Sequence, residues 1–217
     1  SGSDLASVRT TASRVQGGWV VNGTKLWSSG AHRNHYMIAL VRTEPPGENR
    51  HAGLSQLIVD LKKDEGLTIR PIRNLAGGEE FNEVVFEDFF VPEEDLVGEP
   101  GNGWAQVTSE LGYERSGPER FLSAFRVVVE LVRALGDGAS REQKAALGRL
   151  AAHFMTLRQM SISVAGMLER GESPVVEAAL VKAVGNDFER IVPELARQVA
   201  PERAPRLFRA TLEHSLL

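Results

Sequence analysis

The chain contains no cysteine. That absence excludes disulfides, thiolate metal sites and cysteine nucleophiles at once, and it agrees with a reducing, cytoplasmic setting. A surplus of positive charge is also missing. The 25 Lys and Arg residues face 29 Asp and Glu, a formal net charge of −4, which argues against a general nucleic-acid binder. No apolar run approaches the roughly 20 residues of a membrane-spanning helix. The opening Ser1-Gly2-Ser3-Asp4-Leu5 carries no signal-peptide pattern. Its five histidines show no His-Glu-x-x-His spacing, and the chain has neither a Walker A loop nor a Gly-x-Gly-x-x-Gly strand–helix unit. A histidine metal site and a Rossmann-type cofactor site are therefore unsupported. Low-complexity tracts and internal repeats are absent as well.

What is present is an ordinary globular balance: 217 residues, 42% hydrophobic and 25% charged, enough to bury a sizeable core. Two textures divide it. Up to about Val97, short apolar runs alternate with turn signals. Val8 to Ala12 is rich in β-formers. Trp19-Val20-Val21 is followed by Asn22-Gly23, which reads as a hairpin turn with Thr24 to Trp27 as the returning strand. Tyr36–Thr43, Leu54–Leu61, Leu67–Ile72 and Glu83–Phe90 read as further strands, with a polar loop over Glu44–Asn49. Gly98 to Gly103 is a glycine-rich connector.

From Trp104 the apolar spacing turns helical, through Val107, Leu111, Phe121, Phe125, Val128, Val129 and Val132, to a stop at Gly136-Asp137-Gly138. Ser140 caps a second helix running to about Glu169, and Gly171 ends it. Ser173-Pro174 opens a third, with a break expected near Pro201. Strands followed by helices imply segregated α+β architecture. The expected parts are a β-barrel or sandwich over residues 1–97 and part of an antiparallel helical bundle over residues 98–217. The chain opens without Met and stops at Leu216-Leu217 within a helical stretch, so it reads as part of a longer protein.

Three segments carry chemistry. Gly2-Ser3-Asp4 offers backbone N–H groups and a hydroxyl to a ligand, or is an ordinary turn. Trp27-Ser28-Ser29-Gly30 sets a large ring beside small hydroxyls, suited to packing on a planar group and bonding its edge; equally, it is a core Trp before a turn. Tyr113-Glu114-Arg115 lies on the first long helix. A carboxylate buried beside a ligand gains basicity by desolvation and serves as a general base, with Arg115 free to meet an acid or a ligand phosphate. The plain alternative is a solvated helix face, and Glu119-Arg120 repeats the same pair.

The order of these segments, and what lies between them, resembles the acyl-CoA dehydrogenases. Gly2 to Ala12 resembles the start of that family's central β-domain. Trp19 to Gly30 is similar to its "N-G-x-K-x-W-[IS]-[TS]-[NSG]-[GA]" pattern. Gly66–Pro71, Phe81–Asp88, Val91-Pro92, Leu96–Gly98 and Gly101–Trp104 follow in family order. The likeness is dense over about the first 130 residues. The run from Glu114 to Leu122, Glu-Arg-Ser-Gly-Pro-Glu-Arg-Phe-Leu, looks most like actinobacterial-type members.

The resemblance implies α,β-dehydrogenation of an acyl-CoA thioester with FAD as cofactor, in fatty-acid or steroid side-chain degradation. Glu114 would be the catalytic base. Ser3, Trp27 and Ser29 would meet the flavin: Trp27 packed on the ring system, Ser29 at its N5 edge. Ser3 and Arg115 would meet the substrate. An electron-transfer flavoprotein is the implied acceptor, and a homo- or hetero-oligomer the implied assembly. One departure bears on this. The family's "R-x-x-F-G" segment is absent, and Asp137-Gly138-Ala139-Ser140-Arg141 follows Gly136 instead. Some heteromeric members have a subunit lacking a full flavin site, so a non-catalytic partner subunit is an alternative. A relative with oxidase or monooxygenase chemistry is another.

Overall fold

The computed structural model describes the backbone of residues 2–45 and 47–216, and side chains over residues 4–45 and 47–215. The chain divides into two compact units, Ser1–Thr108 and Ser109–Leu217. The division falls inside a helix, later than the change in texture after Val97.

The first unit is a mixed sheet of six strands: β1 (Thr11–Val15), β2 (Gly18–Lys25), β3 (Tyr36–Arg42), β4 (Leu54–Asp60), β5 (Leu67–Ile72) and β6 (Phe81–Pro92), in the order β4-β3-β1-β2-β6-β5. A 3-10 segment, Gly2–Ser7, precedes it. Inward residues alternate as a half-buried strand demands. Val21, Val41, Leu57, Val59, Val84, Phe86, Phe89 and Val91 form the core. Arg42 is buried on the other face of β3, which it shares with Leu40, where Val8, Leu40 and Leu54 form a separate small cluster, and it spends its guanidinium on main-chain carbonyls. It donates to Ala52 at 3.0 Å, Arg50 at 3.1 Å, and Ala6 and Val8 at 3.5 Å.

The hairpin expected at Asn22-Gly23 is not there. Both residues lie inside β2, and the turn is Gln16-Gly17, between Val15 and Gly18, which pair across it. Asn22 instead faces a β-bulge, because Glu87 and Asp88 together stand opposite it between the pairs Val21–Phe89 and Gly23–Phe86. Asn22 ties the bulge down from both sides, donating to the Asp88 carboxylate and accepting from the Asp88 amide, each at 2.9 Å. Gly23 is required for a second reason. Its φ is +128°, and a Cβ there would lie 2.8 Å from Thr10 Cα.

The second unit is helical: the end of α1 (Gly103–Ser116), then α2 (Glu119–Leu122), α3 (Phe125–Leu135), α4 (Arg141–Glu169), α5 (Val175–Val199) and α6 (Arg206–Leu216). The single helix expected from Trp104 to Gly136 is three. Gly117-Pro118 interrupts it, since Pro118 lacks the N–H the helix ladder needs, and the chain turns again at Ser123-Ala124 before α3. Ser140 and Gln143 form a reciprocal capping box at the start of α4. The break expected near Pro201 separates α5 from α6. Leu131, Leu150, Leu157, Phe188, Val192 and Phe208 are the innermost side chains.

Candidate functional site

In the first unit, the segment after β2 presents Trp27. Its side chain is among the exposed large hydrophobics, at 60%, and its φ is +62°. A bulky residue in that region costs of order 1–3 kcal/mol and persists only where its surroundings fix it. Phe81 meets the indole edge-on, with centroids 6.0 Å apart. Just beyond, the amides of Ser28 and Gly30 donate to the carbonyls of Asn82, at 3.0 Å, and Glu80, at 2.7 Å. That alternation aims the Ser29 amide away from β6. Among the described residues neither that amide nor the Ser29 hydroxyl makes a hydrogen bond.

Asn82, which lies in the family-like Phe81–Asp88 segment but is given no site role by the sequence, organises this segment. It is fully buried, shares the inward register of β6 with Val84 and Phe86, and donates from Nδ2 to the Ser28 carbonyl at 2.9 Å. Its Oδ1 lies 2.8 Å from His32 Nδ1, and Arg33 Nε donates to His32 Nε2 at 2.8 Å. A lone amide at an inward position of an otherwise apolar strand is the signal that marks it, because a buried amide must be satisfied. Lys25, two residues before Trp27, donates to the Leu40 carbonyl, and burial pushes its ammonium down to about 8.

Ser3 belongs to the 3-10 segment, but its side chain lies outside the described residues. No position is assigned to its hydroxyl.

In the second unit, Glu114 sits in the last turn of α1. It lines a cavity of about 510 Å³ with Tyr113, Gly117, Pro118, Ser161 and Leu168 among its walls. Ser161 closes one side by donating to the Ser116 carbonyl at 2.6 Å. The Glu114 side chain is 54% exposed in this chain, not buried as the sequence reading expects of a base. Its cationic neighbour is Arg120 rather than the adjacent Arg115. Arg120 is largely buried, 3.7 Å from the Glu114 carboxylate and 3.6 Å from that of Glu119, and among the described residues its Nε has no hydrogen-bond partner. Its stem packs on Gly185 of α5, where a Cβ would lie 2.9 Å from Arg120 Cβ. Arg115 is half-buried at the helix end.

These residues fit a flavin on an observation of the structure. An exposed indole held in a strained conformation, beside an amide and a hydroxyl with no bond of their own, suits a flat heteroaromatic ring with acceptors along its edge. Among the described residues no cluster suits a metal ion, and no helix is long and apolar enough to cross a membrane.

A six-stranded β unit followed by a unit of helices is a segregated α+β architecture. The comparisons make this specific. Residues 1–89 match the family described as acyl-CoA dehydrogenase, middle domain. Acyl-CoA dehydrogenase IpdE1 of Mycobacterium tuberculosis is 38% identical over 206 residues, covering 92% of this chain and 52% of that protein. Acyl-CoA dehydrogenase FadE34 of the same organism is 32% identical over 201 residues, covering 92% of this chain and 28% of its own length. Among solved structures, the ChsE4-ChsE5 complex from Mycobacterium tuberculosis matches at 29% identity and a TM-score of 0.77, over 98% of this chain and 58% of that one. This chain belongs to the acyl-CoA dehydrogenase family. It spans about half the length of IpdE1, and less of FadE34.

Proposed function

We propose that the protein containing this chain is an FAD-dependent acyl-CoA dehydrogenase and that Glu114 is its catalytic base. The observation that carries the reading is Glu114's place on the wall of the cavity at the end of α1, in a chain of this family. Trp27 would stack on the flavin ring system, and the Ser29 amide and hydroxyl would donate to its edge. Ser3 would serve both the flavin and the thioester, and Arg115 the substrate. FAD, when bound, supplies the acceptor for the hydride leaving the substrate's β-carbon.

The remaining work falls to side chains of this chain. Glu114 removes the α-proton. An α C–H is far less acidic than a carboxylic acid, so donors must stabilise the charge that develops on the thioester oxygen, and water must be kept from the carboxylate. The exposure of Glu114 means that substrate, or further protein, must supply the cover. An electron-transfer flavoprotein as oxidant, and a homo- or hetero-oligomeric state, belong to the same proposal.

A second reading is favoured by one observation. Asp137 to Arg141 stands where the family's R-x-x-F-G segment is expected, and forms the approach to the α4 capping box. On this reading the protein is a non-catalytic subunit that completes a neighbour's site. The deciding experiment is the flavin content of the full-length protein purified alone. Bound FAD with dehydrogenation of acyl-CoA supports the first reading. An apoprotein that acquires activity only with a partner chain supports the second.

A further inference from the structure

We propose that Asn82, His32 and Arg33 form a positioning network that sets how Trp27 and Ser29 are presented. This rests on the reading of Trp27 and Ser29 as the flavin-facing residues. The network is directional. Asn82 Nδ2 is committed to the Ser28 carbonyl, so its Oδ1 is the atom that faces His32. Nδ1 of His32 must then carry the hydrogen. An arginine Nε only donates, so His32 Nε2 must accept from Arg33. The polarity of every bond is thereby fixed, with Nδ1 of His32 as donor and Nε2 as acceptor.

The geometry explains why the network exists. Trp27 is held in the left-handed region, which an aromatic residue leaves unless its neighbours prevent it. Ser28, the next residue, is held from both sides: its amide donates to the Asn82 carbonyl and its own carbonyl accepts from the Asn82 side chain. His32 and Arg33 lie on the far side of the turn that begins at Ser29, with Arg33 N and Asn34 N both bonded to the Gly30 carbonyl. Asn82 therefore clasps the turn at its entry and, through His32, near its exit. With Ser28 fixed at one end and His32 at the other, Ser29 between them has its amide left outward. Asn82 and His32 touch no substrate in this scheme. They act through Trp27 and Ser29.

The test uses the full-length protein labelled with fluorotryptophan and read by fluorine NMR. Trp27→Phe assigns the Trp27 line by its disappearance. His32→Phe removes the donor to Asn82, and His32→Asn keeps a donor at the Nδ1 position. The expected result is that His32→Phe moves or broadens the Trp27 line alone, and that His32→Asn restores it. In the same samples FAD binding should weaken about ten-fold or more in His32→Phe and recover in His32→Asn. A Trp27 line unchanged in His32→Phe overturns the network, as does a change in every tryptophan line that His32→Asn fails to reverse. Asn82→Asp, which places an acceptor against the Ser28 carbonyl, must shift the Trp27 line in the same sense; no shift in that variant also overturns the network. If the wild type binds no FAD under any condition, the flavin reading fails, and the fluorine spectra still decide the network.

Discussion

Arg120 holds Glu114 by two atoms, donating from Nη2 to its main-chain carbonyl at 3.1 Å while standing 3.7 Å from its carboxylate. The end of α1 is thus tied to α2 across the Gly117-Pro118 break, and the carboxylate stays at the mouth of its cavity. In the intact protein, Glu114→Gln is expected to reduce dehydrogenation by roughly two to four orders of magnitude, the usual share of a general base, while leaving flavin bound. Steady-state turnover with an acyl-CoA, alongside the visible flavin spectrum, checks it. Near-normal turnover would remove Glu114 from the mechanism.

Gly185 is where α5 admits the Arg120 stem. A methyl group there meets Arg120 Cβ at 2.9 Å and its carbonyl oxygen at 3.1 Å. Gly185→Ala should therefore destabilise the helical unit by about 1–3 kcal/mol, as overpacking does, despite alanine's better helix propensity. Urea unfolding followed by circular dichroism measures it. A stabilised variant would mean that α2 yields without cost.

Lys25 makes stability depend on pH in a defined direction. Burial lowers its pKa from 10.5 to about 8, so between those values the unfolded chain holds a proton that the folded chain has released. Stability then rises with pH across the window and is lost as pH falls back through about 8. The contribution is at most about 3 kcal/mol. Lys25→Met should abolish this slope relative to wild type, in urea midpoints taken at both ends of the window. Parallel slopes for the two proteins would contradict the assignment.

Trp27 trades stability for presentation. Trp27→Asn, which tolerates a positive φ, should leave the flavin-free protein as stable or more stable by about 1 kcal/mol, and should weaken FAD binding. Thermal unfolding of the apoprotein and FAD titration separate the two effects. A clear loss of apoprotein stability would show the indole to be a packing residue.

Local signals in the sequence carried far in some places and failed in others for physical reasons. The start of α4 was legible because Ser140 and Gln143 satisfy each other within four residues. β5 was legible because its ends fall at Gly66 and beyond Ile72. Asn22-Gly23 was misread because a bulge is a property of two strands, and its other half, Asp88, lies on β6. The helix break at Gly117-Pro118 was written in the sequence as a Gly-Pro pair, but the apolar spacing on either side masked it. At the candidate site, Trp27, Ser29 and Glu114 stood out by residue type and order. Asn82 and His32 did not, because they are 50 positions apart and become partners only once β6 lies beside the segment after β2. Glu119-Arg120 looked like a mere repeat of the Glu114-Arg115 pair. In the folded chain it supplies the cation that Glu114 faces.

Arg42 has a consequence of its own. One side chain collects the carbonyls of Ala6 and Val8 from the N-terminal segment and those of Arg50 and Ala52 from the loop before β4. Those two stretches are remote in sequence, yet neither can come away from the sheet without leaving a buried guanidinium short of acceptors, a cost borne by the other. They share a single latch, and fraying at either end of it is a joint event.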